Sequence, residues 1–163
     1  MKCSTNLLNN IVLNGSKTAA IVMALFLTLT VSTSFAAPKD DIKGHITASF
    51  KKDFGNAEII SYEQRNNFNK LTFRMDNVIL SAYYSDNGEL LAIVRNILTS
   101  QLPLQLMMEL KSNYNGYWVS DLFELSSDGQ NTYYITVESA TQKITLRSTD
   151  AQSWETYSKV AKN

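Results

Sequence analysis

The residues that could do chemistry are few and poorly spaced for it. His45 is the only histidine and Cys3 the only cysteine of the 163-residue chain. One histidine without thiols cannot build the usual zinc ligand sets, nor a Cys-His pair. A Ser-His-Asp site would have to run through His45, and no Gly-x-Ser-x-Gly turn accompanies it. His45 flanks the apolar stripe of a predicted helix and reads as a helix-surface residue. Two carboxylates alone can do acid–base work. However, Asp40-Asp41 stand before that helix, where negative charge caps the backbone and favours the dipole. Asp86-Asn87-Gly88-Glu89 lacks the spacing of a calcium loop and reads as a turn. The six glycines are scattered singly, so none builds a phosphate cradle. The sequence thus predicts no catalytic set, no metal site and no cofactor.

The elements that would position any surface residue repeat. Ile42, Ile46, Phe50 and Phe54 recur sixty residues on as Leu102, Leu106, Leu110 and Tyr114. Steps of four draw one slanting apolar stripe on each of two helices, and Lys51 and Lys111 fall at matching solvent-facing positions. Pro103 suits the start of the second helix, while Gly55-Asn56 and Asn115-Gly116 mark the exits. After each helix the apolar period drops to two, the signature of strands with one buried face. Strands are predicted over 57–65, 70–76, 78–85 and 89–96, then over 117–126, 132–139, 143–148 and, more weakly, 154–160. Asn66-Asn67, Asp76-Asn77, Asp86-Asn87-Gly88 and Ser127-Asp128-Gly129-Gln130 supply short turns, which imply antiparallel neighbours. The unit is a helix followed by a meander of strands, made twice. Two such units give an α+β fold with both helices on one face of an antiparallel sheet of about eight strands.

The amino terminus reads as an export signal. Lys2 and Lys17 precede an apolar run over 19–31, and Ser34-Phe35-Ala36 offers small residues before Ala37. That order fits a secretory signal peptide over 1–36, and the run is short of the roughly 20 residues a membrane span needs. The single domain that remains, 37–163, holds two repeats at about 42–97 and 102–160. Its expected location is periplasmic or secreted, without stable membrane insertion after cleavage. Cys3 lies far before the apolar run, so the mature chain carries no thiol and its core alone must stabilise it. Removing Lys2 and Lys17 from fifteen basic residues leaves thirteen against fifteen acidic. With no basic run, nucleic acid is not an expected partner.

Several of these residues carry a family resemblance. A helix ending in Phe54-Gly55-Asn56-Ala57, the pair Tyr62-Glu63, an alternating strand, the run Ala82-Tyr83-Tyr84-Ser85-Asp86-Asn87-Gly88 and the Leu102-Pro103 helix start resemble the PepSY-like, or beta-lactamase-inhibitor-like, family. The resemblance spans about Ile42 to Val160 and departs at the last turn, where Thr149-Asp150-Ala151-Gln152 replaces Asp-x-x-Gly, so a looser closing hairpin is expected. It implies an exported tandem-repeat domain with helices on one side of a curved sheet, and a binding or inhibitory role.

The expected working surface is the sheet face turned away from the helices. Tyr83 and Tyr134 fall on the polar sides of their strands, with Arg74, Thr136 and Arg147 nearby. Aromatic and Arg side chains on a rigid sheet are the usual anchors of a protein interface. The predicted role is a non-catalytic exported binding module, an inhibitor or envelope sensor whose partner is an envelope or extracellular protein. A small-molecule or lipid carrier is the alternative, through a sheet–helix cleft lined by Phe50, Met75, Met107 and Met108.

Overall fold

The computed structural model describes residues 42–162; the predicted signal and Asp40-Asp41 lie outside them. Helix α1 (Gly44–Phe54) is followed by β1 (Glu58–Gln64), β2 (Asn69–Met75), β3 (Val78–Tyr84) and β4 (Leu90–Asn96). A short 3-10 turn (Thr99–Gln101) then leads into α2 (Leu104–Asn113), β5 (Trp118–Ser127), β6 (Gln130–Glu138), β7 (Gln142–Ser148) and β8 (Glu155–Ala161). All eight strands form one antiparallel sheet in chain order. Among the described residues no helix is long and apolar enough to cross a membrane.

Turn chemistry explains the hairpins. Asp76-Asn77 and Asp128-Gly129 all take left-handed φ, between 49° and 75°, the two-residue turn whose twist matches that of the strands it joins. Gly55 ends α1 at φ 62° and ψ −125°, a backbone conformation essentially restricted to glycine, with its N–H donating to Lys51 O. The position before α1 is Lys43, which makes no side-chain cap. The capping role expected of Asp40-Asp41 falls on residues outside those described.

Each helix buries its stripe on its own half of the sheet. Ile46 and Phe50 of α1 pack with Tyr62, Leu71, Phe73, Ala82 and Tyr84, the rings of Phe50, Phe54 and Phe73 meeting within 5.3 Å. Leu106 of α2 packs with Leu122, Ile135, Val137, Ile144, Leu146 and Trp154. Each fully buried Leu, Ile or Phe contributes about 1.5–3 kcal/mol of transfer free energy. The halves join through four residue pairs, Ile93–Ser126 to Asn96–Phe123. Between the two cores Arg95 Nε donates to the buried Glu124 carboxylate at 2.6 Å.

Bulges interrupt the ladder at matching places. Ile60 in β1 and Ser120 in β5 are each left over between paired neighbours. A bulge bends its strand and reverses the alternation beyond it.

Candidate functional site

The sheet face opposite the helices has an apolar centre of its own. By strand register Tyr83 shares this face with Lys70 and Ala92, Val94 with Leu125, and Phe123 with Tyr134. None of these apolar residues belongs to either core beneath the helices. Tyr83, Ala92, Val94, Phe123, Leu125 and Tyr134 are all buried. Phe68 lies 5.5 Å from Tyr83, and Tyr134 is stacked on Phe123 at 5.1 Å and set edge-on to Tyr157 at 5.7 Å. Burial raises both phenols above their usual range, Tyr134 to about 12.

Charge surrounds this centre in cross-strand pairs. Lys70 meets Glu63 at 3.1 Å, Arg74 meets Glu58 at 3.1 Å and Arg147 meets Glu155 at 3.0 Å. Glu138 takes Lys162 at 2.7 Å and Lys143 at 3.5 Å. Its carboxyl is held down at about 2, first by the Lys162 hydrogen bond and then by one from Ser120. Each pair joins strands and fixes a side chain in place; as surface ion pairs they contribute about 0–1 kcal/mol apiece. Asp121 is the opposite case, its carboxyl pushed up by burial.

The five residues singled out from the sequence share this face but form no single cluster. Tyr134 stands opposite Arg147 across the β6–β7 ladder, and Thr136 opposite Thr145, their hydroxyl oxygens 3.2 Å apart. Tyr83 belongs to the other half, beside Phe68, and Arg74 lies at the exposed end of β2. The expectation that Tyr83, Tyr134 and Thr136 point into solvent is corrected: they are 2%, 5% and 1% exposed. Long side chains lie down on their neighbours here, and only Arg74 and Arg147 keep substantial exposure, 49% and 37% of their side chains. Arg147 Nε is buried without an acceptor among the described residues.

The residues missed were Phe68, Phe123, Leu125 and Tyr157. A signal for two of them was present. The runs 90–94, Leu-Leu-Ala-Ile-Val, and 122–125, Leu-Phe-Glu-Leu, do not alternate, which marks strands buried on both faces.

The residues expected to line a carrier cleft do not meet. Phe50 belongs to the first core and Met107 packs against the second. Met75 and Met108 are on the surface, 39% and 56% exposed. His45 is also exposed, but it is engaged: its Nε2 donates to Asp86 O at 2.8 Å.

No family model matches the chain, and no curated protein does. Solved structures share its fold. A BLIP-like protein from Bacteroides fragilis is 20% identical with a TM-score of 0.64, over 74% of this chain and 88% of that one. A DUF2874 family protein from Bacteroides uniformis is 13% identical, also with a TM-score of 0.64, over 74% and 89%. A protein provisionally described as periplasmic, from Bacteroides eggerthii, is 13% identical over 73% and 88%, with a TM-score of 0.64. At these identities the likeness is one of fold.

Proposed function

We propose that this chain is a non-catalytic exported binding module whose sheet face opposite the helices receives another protein of the envelope or the extracellular space. One observation carries the reading: among the described residues the sheet is apolar at its centre on both faces, while the two helices α1 and α2 occupy only one. An apolar, aromatic centre inside a ring of charge is the anatomy of a protein interface. Arg147 supports it, because its buried Nε has a hydrogen to donate and no acceptor among the described residues. Fold likeness to a BLIP-like protein agrees with a binding role without assigning a partner. Export rests on the signal pattern over 1–36 and on the likeness to a protein described as periplasmic.

The test recovers partners of the tagged full chain from the envelope fraction and compares wild type with Arg74→Glu/Arg147→Glu. These residues are exposed enough to reverse without opening the core, which circular dichroism checks. The expected result is a partner held by wild type and lost on reversal. A partner retained at unchanged affinity, or none recovered, overturns the reading.

A further inference from the structure

Among the described residues, seven of the ten exposed large hydrophobic residues gather at strand ends; Leu98, Leu104 and Met108 lie instead before and on α2. In the first half Ile60, Met75, Val78 and Ile79 are between 39% and 56% exposed, and in the second half Trp118, Val119 and Val160 are. All seven lie where β1, β3 and β5 begin or where β2 and β8 end, which in a meander is one end of the sheet. Register aligns Trp118 with Glu138, Lys143 and Val160 in one row, as it aligns Glu58 with Arg74 and Ile79. At the opposite end the turns at 65–68, 85–89, 128–129 and 149–154 expose no large hydrophobic residue, the start of α2 contributing only Leu104. Those turns carry Asp86, Glu89, Asp128 and Asp150 instead.

Cations gather at the apolar end. Both helices hand the chain to a strand that begins there, so Lys51 and Lys52 in the last turn of α1 and Lys111 in the last turn of α2 are carried toward it. Lys159 arrives on β8. All four are exposed, and none enters an ion pair among the described residues. Acids at this end are mostly engaged: Asp53 by the Tyr84 hydroxyl, Glu58 by Arg74 and Glu138 by Lys143 and Lys162.

We propose that this end of the sheet docks peripherally on an anionic phospholipid surface. Eight strands about 4.8 Å apart spread the apolar tips over roughly 34 Å, a line suited to an extended surface more than to a small ligand. Trp118, 52% exposed with Lys162 Nζ 4.6 Å from its ring centroid, has the amphipathic pairing that settles at headgroup level. Unpaired lysines supply attraction to anionic lipid, and the aliphatic tips supply shallow burial. This end adjoins the binding face and shares the Glu58–Arg74 and Glu138–Lys143 pairs at its rim, but vesicle quenching and partner recovery are separate readouts, so either assignment can fail without the other.

Trp118 provides the probe, since Trp154 is the only other tryptophan. In the full chain carrying Trp154→Phe, emission is followed during titration with vesicles of brominated phosphatidylglycerol or brominated phosphatidylcholine. Wild type, with Trp154 as buried background, repeats the measurement should that variant fold poorly. Quenching reports the depth of Trp118 itself, so attachment through the amino-terminal segment alone leaves it unchanged. The expected result is a blue shift and quenching on the anionic vesicles only. Lys51→Gln/Lys52→Gln/Lys111→Gln should lower the partition coefficient drawn from the quenching curve about a hundredfold, about fivefold per charge. Ile79→Ser/Val160→Ser should reduce quenching at fixed lipid. Equal quenching on both vesicles, no quenching on either, or capture of a soluble protein by this end in place of lipid overturns the proposal.

Discussion

In the first half the β3–β4 turn is held against α1 by polar contacts, whereas in the second the β7–β8 loop is held against α2 by an indole. Asp86 takes Lys43 at 3.3 Å and the Asn69 amide at 3.1 Å, and Tyr62 in turn donates to Asn69 Oδ1 at 2.7 Å. Gly88, at φ 80°, comes so close to α1 that a β-carbon there would stand 2.7 Å from Ser49 Oγ. In the second half Trp154 fills the corresponding place, its Nε1 donating to Leu106 O at 2.9 Å and its backbone N–H to Glu109 at 3.0 Å. Ser49 and Glu109 are the same helix position, sixty residues apart. What the two halves share is the requirement that the closing loop sit on that position. Either a close backbone approach or a large side chain satisfies it, so the chemistry diverged while the geometry stayed. The closing hairpin of the second half is accordingly anchored, contrary to the looseness expected from its missing glycine.

The comparison can be broken most severely at Trp154. Trp154→Ala should cost about 3–5 kcal/mol in equilibrium urea unfolding; Trp154→Phe, which keeps most of the volume, should cost about 1 kcal/mol for the lost hydrogen bond. Next comes the glycine exchange. Gly88→Ala should cost about 2 kcal/mol, from left-handed backbone and the clash with Ser49, and Ser49→Ala in that background should restore part of it. Ala151 holds φ 59° in the other half, so Ala151→Gly should gain about 0.5 kcal/mol.

The smallest effect expected is in pH. Both loops hold a carboxyl below its usual range, Asp86 through the Asn69 hydrogen bond and then Lys43, Asp150 through the N–H groups of Gln152 and Ser153. A depressed folded-state value stabilises above the unfolded value and is lost as pH falls through the folded one. Stability should therefore decline below about pH 4. Asp86→Asn should flatten that decline, with amide exchange in α1 losing its acid sensitivity while exchange in α2 keeps it.

The helices, turns and strand order were legible because their signals are local: a stripe stepping by four, a turn that tolerates positive φ, an alternation of two. The faces of Tyr62 and Trp118 were not, because the bulges at Ile60 and Ser120 reverse that alternation nearby. The place of Trp154 was hidden because its loop has no period; its path depends on Asp150 bonding its own backbone and on Ala151 taking a left-handed conformation. At the candidate site, alternation correctly put Tyr83, Tyr134, Arg74, Thr136 and Arg147 on one face, but it reports which face a residue occupies and not how deeply it is buried. Only the runs in β4 and β5 that fail to alternate carried that information.

Sheet order equal to chain order has a consequence for how the molecule comes into being. Every residue of the first core precedes residue 91, and every residue of the second follows residue 96. A chain emerging amino end first can close its first core before the second has arrived, because every contact that core needs is already available. Each later strand then meets the open edge of the one before it, with short loops to close and no earlier pairing to undo.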